Sequence, residues 1–303
     1  MGESQMPFLI LLLVATIAGS LVFLLGSRYP TPVVGQAPAQ AAGEKLGHEA
    51  ARHPWLSRTL RGRLDPASAT GLALTIALVV AIGGGLVLGL LAYLMRTNAQ
   101  LVSIDKSVGQ WQVDHGTHLS TQALQRVTDL ASTYAVVIVI LVVAVAEFVR
   151  IPNKWVPVFL ISVVVGEIVL VTTIKQLLDR VRPSFNPAAA TLGPSFPSGH
   201  SATAAALYAA VALVVARRRP PRTRALIAGA AAAVAVAVAC SRVMLGVHWL
   251  SDVIAGLAFG WAWFAICAIA FGGRFLSFGA PLKTATDIAA SEGRSGSAPA
   301  VQP

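Results

Sequence analysis

Charge is what this sequence has least of. Only 12% of its 303 residues are Asp, Glu, Lys or Arg, and just 13 are acidic. A soluble domain carries about 25%, so an aqueous globule is excluded. Cysteine is nearly absent too. Cys240 and Cys267 both fall inside apolar runs, which rules out a disulfide framework and makes them small core residues without redox meaning. What is there instead is apolar: 55% of the residues are hydrophobic and the mean hydropathy is +0.71. That composition describes an all-α, polytopic membrane helix bundle. A span needs about 20 mostly apolar residues to cross ~30 Å of hydrocarbon. Seven stretches qualify: 7–26, 71–95, 130–149, 157–178, 200–216, 225–241 and 250–272. The net charge of +10 would suit nucleic acid in a soluble chain. Here the cations sit in the loops between spans, as membrane topology requires, so no nucleic-acid partner is expected.

Residues 1–28 read as an N-terminal transmembrane helix. The run 7–26 is long for a cleaved signal, and Glu3 precedes it with no Lys or Arg. Residues 29–70 form a basic linker with a Pro/Ala/Gln-rich start, in which His48 and His53 are given no role. Gly83, Gly84 and Gly85 in the second span either let a neighbouring helix come close or simply mark a flexible point. The mixed stretch 97–129 suits an amphipathic segment at the membrane surface. A metal site from His115 and His118 has no third ligand and is set aside. Glu147 and Glu167 are expected to turn into the bundle and be hydrogen-bonded, Glu167 with the option of supporting Lys175. Placing the linker inside puts 16 of the 23 Lys and Arg on the cytoplasmic side and leaves seven outside. Residues 273–303, rich in Ser, Gly and Ala, read as a disordered cytoplasmic tail.

Against this background three polar clusters stand out between Lys175 and Asp252. The first runs from Lys175 to Arg182 and Pro183. The second is Pro197-Ser198-Gly199-His200, and the third is Ser241-Arg242 followed by His248 and Asp252. The topology above puts all three on the outer face. Ionisable groups at the ends of spans are costly to place there and are functional candidates by default. Lys175 and Arg182 are seven apart, which places them two turns apart on one helix face, with Pro183 marking the helix end. Ser198 and Gly199 precede an apolar run, at a helix N-terminus whose free N–H groups attract an anion. With Lys175, Arg182 and Arg242 they make a phosphate cradle. Interfacial anchoring would explain the cations alone, but not His200, His248 and Asp252 beside them. His248 and Asp252 are four apart, on one face if helical. The carboxylate can accept the imidazole Nδ1–H and leave Nε2 free to attack, while His200 protonates a leaving oxygen.

These clusters resemble the three signature motifs of the type 2 phosphatidic acid phosphatase family, membrane phosphatases that share their site with vanadium haloperoxidases. Lys175, Arg182, Pro183, Pro197, Ser198, Gly199, His200, Ser241, Arg242, His248 and Asp252 fill every motif position. The resemblance covers about 71–272, a six-span phosphatase core, and leaves the first span and the linker without an assigned purpose. It implies a membrane lipid phosphatase acting on a phosphate monoester or diphosphate at the outer surface of the cell membrane. In that scheme His248 forms a phosphohistidine, Asp252 orients it, and His200 serves as acid and then base. Lys175, Arg182, Arg242, Ser198 and Gly199 hold the phosphate, and no metal or other cofactor takes part. Undecaprenyl diphosphate, phosphatidic acid and phosphatidylglycerol phosphate are all candidate substrates. A phosphotransferase with the same site is the alternative, and a non-catalytic transporter or scaffold a more distant one. A haloperoxidase is normally soluble, which seven spans oppose. The bilayer and its lipid phosphate are the expected partners; the oligomeric state is open.

Overall fold

The computed structural model describes residues 6–28, 69–150, 152–186 and 192–275. The linker and its histidines, and the tail from residue 276, lie outside the described residues. Nine α-helices are present among those described: α1 Met6–Arg28, α2 Ala69–Thr97, α3 Ala99–His115, α4 His118–Thr128, α5 Thr133–Arg150, α6 Trp155–Leu178, α7 Gly199–Ala216, α8 Pro221–Met244 and α9 Leu250–Phe275. A 3₁₀ turn at Asp129–Ala131 joins α4 to α5. Seven of the helices, all but α3 and α4, are long and apolar enough to cross a membrane. The protein is a multi-pass membrane protein, with spans close to the predicted stretches. The stretch 97–129 becomes α3 and α4, started by local caps: Asn98 Oδ1 accepts from the N–H groups of Gln100 and Leu101, and Thr117 with Ser120 forms a capping box. The expected tail begins inside α9, which runs on to Phe275.

Two units divide the chain, one of residues 1–30 and 77–269, the other of 31–76 and 270–303. The first holds the bundle. Its centre is α7, whose run of alanines is almost wholly buried, while α2 has no buried residue between Ile76 and Thr97. Hydrophobicity cannot drive helices together in lipid, so close backbone approach between small residues does that work. A Cβ on Gly256 would lie 2.5 Å from the Ser198 carbonyl oxygen, and one on Gly260 would run into the Ala202 carbonyl. These two glycines seat α9 directly against the N-terminal half of α7. α1 is seated on α8 in the same way: a Cβ on Gly19 would lie 2.8 Å from the Gly229 carbonyl oxygen. Leu11 of α1 also packs in one buried cluster with Leu124, Leu245 and Val247, next to the turn that carries His248. Of the triple glycine only Gly84 makes a close helix approach, since a Cβ there would strike the Ala258 carbonyl of α9, whereas one on Gly83 or Gly85 would meet open space.

The two intramembrane glutamates are both buried. Glu147 Oε2 pairs with Arg217 Nη2 at 2.6 Å, and Arg150 lies 3.7 Å from its other oxygen. Glu167 accepts from Thr203 Oγ1 at 2.8 Å. Its partner is therefore a hydroxyl on α7 rather than Lys175.

Candidate active site

Three segments meet at one end of the bundle: the end of α6 with the loop after it, the N-terminus of α7, and the turn between α8 and α9. Lys175 lies in the last turn of α6, and its Nζ donates to the Pro194 carbonyl at 2.7 Å. Arg182 does not share that helix. α6 ends at Leu178, capped by Asp179 in a left-handed conformation (φ 42°) with its N–H on the Lys175 carbonyl. The helix stops there because the next residue, Arg180, is pulled towards Asp105 and Asp252. Arg182 reaches the same place from the loop. Its Nε donates to the Gly193 carbonyl at 2.8 Å and its Nη1 to the Val247 carbonyl at 2.9 Å.

Ser198 is the N-cap of α7 and Gly199 and His200 open the helix, as the sequence implied, and Ser198 is fully buried. The Ser198 side chain does not cap the helix, but its Oγ accepts from Ser201 Oγ at 2.9 Å. The Ser198 hydroxyl therefore leaves the first-turn N–H groups, which no intrahelical carbonyl can satisfy, without a side-chain cap. Arg242 sits buried in the last turn of α8, where Nη1 donates to Thr128 Oγ1 at 3.0 Å and Nε has no hydrogen-bond partner. Lys175, Arg182, Arg242, His200 and His248 are close enough for their charges to act on one another.

His248 precedes α9 instead of lying on it, since the helix begins at Leu250. The pairing with Asp252 survives because the carboxylate folds back over the start of the helix. Asp252 Oδ2 accepts the Trp249 N–H at 3.0 Å and His248 Nδ1 at 3.3 Å. At the far side of the ring Arg182 Nη1 lies 3.1 Å from Nε2. A guanidinium can only donate, so Nε2 carries the lone pair and Nδ1 the hydrogen. The tautomer is fixed from both ends. Burial pushes the His248 imidazole from its usual 6.5 down to about 4, against the pull of Asp252. It is neutral at pH 7, with Nε2 unprotonated and aimed at the cationic side of the site.

The structure adds residues that the motifs do not contain. Arg180 bridges Asp252 Oδ1 (2.6 Å) and Asp105 Oδ2 (2.7 Å), and Asp105 also accepts from the Ser251 N–H and hydroxyl. Asp105 is 2% exposed, so α3 is more than a surface segment. Asp105 is one of three aspartates in the mixed stretch 97–129 and nothing local marks it out; its partners are over 70 residues away in the chain. His115, by contrast, stacks on Trp111 and bonds that residue's carbonyl at 2.8 Å. Among the described residues no three His, Cys, Asp or Glu come together as metal ligands.

Comparison with known proteins agrees with this geometry. The PAP2 superfamily matches residues 155–275, which take in all three clusters. Phosphatidylglycerophosphatase B of Bacillus subtilis is 30% identical over 174 residues, 56% of this chain and 84% of that protein. Lipid A 1-phosphatase of Rhizobium etli is 39% identical over 123 residues, covering 37% of this chain and about half (49%) of that protein. A crystal structure of a transmembrane PAP2-type phosphatidylglycerolphosphate phosphatase from Bacillus subtilis superposes with a TM-score of 0.60. It is 26% identical, and the match covers 65% of this chain and 98% of that one. With the motif positions filled, the helical bundle shared and a relative matched over most of its length, this chain belongs to the PAP2 superfamily.

Proposed function

We propose that this protein hydrolyses a lipid phosphate through a phosphohistidine at His248, without a metal, on the extracytoplasmic face of the cell membrane. The observation that carries the reading is the doubly held imidazole, with Asp252 at Nδ1 and a cation at Nε2. A substrate phosphoryl oxygen takes over the Arg182 N–H, and Nε2 then faces phosphorus. Nε2 attacks, the bond from phosphorus to the lipid oxygen breaks, and His200 gives that oxygen its proton. His200 then takes a proton from water, which attacks the phosphohistidine and frees inorganic phosphate. Lys175, Arg182 and Arg242, with Ser198 and the Gly199 N–H, hold the equatorial oxygens as charge develops. Those groups already supply the positive charge that a metal brings elsewhere, which supports metal independence.

Substrate choice is guided by the relatives. The one matched over most of its length is a phosphatidylglycerophosphatase, so phosphatidylglycerol phosphate comes first. Lipid A 1-phosphate, phosphatidic acid and undecaprenyl diphosphate complete the panel. The test is phosphate release by purified protein on that panel, with and without excess chelator. We expect release from at least one lipid, undiminished by chelator and lost in His248→Ala. Release that stops in chelator and returns with Mg²⁺, or transfer of the phosphoryl group to an acceptor other than water, contradicts the reading. For orientation, cysteines placed at 217–220, between α7 and α8, and at the α6–α7 loop should label from opposite sides of intact cells. Labelling of 217–220 from outside contradicts the proposed face.

A further inference from the structure

A second buried cluster lies behind Asp252, on the side away from the phosphate cradle. It joins Asp105 of α3, Arg180 of the loop after α6, and Ser251 and Asp252 of the first turn of α9. Arg180 Nη1 donates to Asp252 Oδ1 at 2.6 Å and to Ser251 Oγ at 2.7 Å, while Nη2 donates to Asp105 Oδ2 at 2.7 Å. Asp105 fixes Ser251 in turn, through its N–H at 2.9 Å and its hydroxyl at 2.6 Å. The side chains of Asp105 and Asp252 are 2% and 0% exposed, and that of Arg180 is 14%.

We propose that Arg180 and Asp105 are positioning residues for the His248–Asp252 pair, Arg180 clamping the carboxylate and Asp105 holding Arg180. This rests on the phosphatase reading above. The terminal torsion of an aspartate is broad and soft. On its histidine-facing oxygen, Asp252 has only the 3.0 Å bond from Trp249 and the 3.3 Å contact with Nδ1. The 2.6 Å bond from Arg180 occupies the opposite oxygen, and turning the carboxylate would break a charge-assisted pair in a buried setting. Charge matters as much as geometry. Arg180 alone would neutralise Asp252 and weaken its hold on a positively charged imidazole. With Asp105 sharing the guanidinium, the three groups together keep one negative charge. That charge faces the ring when phosphorus bonds to Nε2 and the ring becomes cationic. Arg180 also lies 5.6 Å over the Trp249 ring, so the clamp is tied to the turn that carries His248. Asp105 lies outside the residues that the superfamily matches, and Arg180 is not a motif position.

A mere structural clip between α3 and α9 would act on stability and would not care what stands at 252. The test is therefore a double-mutant cycle on the full-length protein in detergent, read as kcat and KM on phosphatidylglycerol phosphate. Arg180→Gln should lower kcat by about 10²-fold, with KM within about threefold, because Lys175, Arg182 and Arg242 are untouched. In an Asp252→Asn background the same change should cost less than about threefold, since its effect runs through that carboxylate. Arg180→Lys, which can reach one carboxylate but not both, should recover part of the loss. If Arg180→Gln does not accumulate as folded protein, Asp105→Asn carries the same cycle at constant size. An equal loss in both backgrounds, or wild-type kcat in folded Arg180→Gln, overturns the positioning role while leaving the phosphatase reading intact. A wild-type protein that releases phosphate from no lipid overturns both.

Discussion

Replacing Asp252 by Asn exchanges one oxygen for an NH₂ group, at a carboxylate that has no oxygen to spare. Oδ1 is committed to Arg180, and Oδ2 to the Trp249 N–H and to His248 Nδ1. An amide has one oxygen to offer. With that oxygen towards His248, the active tautomer is kept, but the amide N–H₂ is pressed against the Arg180 guanidinium. With it towards Arg180, the N–H₂ faces Trp249 N–H and forces Nδ1 to accept. Nε2 then carries the hydrogen, meets the Arg182 Nη1 donor head-on, and has no lone pair to attack with. Each pose leaves buried donors unmatched, at about 1–3 kcal/mol each, and both lose the charge that stabilises a cationic ring. Removing such a carboxylate from behind a catalytic histidine costs about 10⁴ in kcat, or about 5 kcal/mol of barrier. We expect a fall of about 10³–10⁴-fold in kcat with KM close to wild type, because no phosphate ligand is altered. The assay is steady-state phosphate release from a lipid phosphate, with thermal unfolding to show that the variant is folded. A folded Asp252→Asn that keeps more than about a tenth of wild-type kcat would refute the tautomer argument.

The same geometry sets other outcomes. His200→Ala should cost about 10²–10⁴-fold on a lipid phosphate but much less on an aryl phosphate whose phenol leaves without a proton; equal losses on both would show that His200 is not the leaving-group acid. Glu147→Gln strands the buried Arg217 guanidinium and should cost about 3–5 kcal/mol in stability, measured as a lower thermal midpoint, while the folded fraction keeps its kcat because the pair lies at the far end of α7 from Ser198. An unchanged midpoint would contradict the pairing. For pH, the unfolded chain protonates His248 through about 6.5 and the folded protein only near 4, so this contribution is intact above 6.5 and is lost as pH falls across that window. His248→Ala should therefore lose less thermal stability than wild type between pH 6.5 and 4, and equal losses would show that the buried imidazole is not responsible.

How much of this was legible in the sequence depends on the distance over which each feature is decided. The spans could be read because a run of about 20 apolar residues is a local property, and the helix N-terminus at Ser198–Gly199 follows from a polar cluster abutting such a run. The end of α6 was misplaced because Pro183 marks where a helix must have stopped, not where it does stop. The stop is made by Asp179 in a left-handed conformation that favours glycine, and by partners of Arg180 on two other elements. The motif residues assigned to catalysis and phosphate binding are brought to one end of the bundle from three separate parts of the chain. Asp105 and the Glu147–Arg217 pair were invisible as pairs because each links residues 70 or more apart in the chain. Two single glycines, Gly19 and Gly229, decide how α1 docks on α8, and neither carries a signal until the two helices are seen side by side.

The central claim is that His248 Nε2 forms a bond to phosphorus, and trapping that bond tests it most directly. Protein turning over a lipid labelled with ³²P in its phosphate would be quenched in alkaline detergent, where a phosphohistidine survives, and the labelled peptide identified. The account predicts acid-labile label on the peptide containing His248, absent from His248→Ala. Label on His200, or turnover by His248→Ala without label at 248, would contradict it.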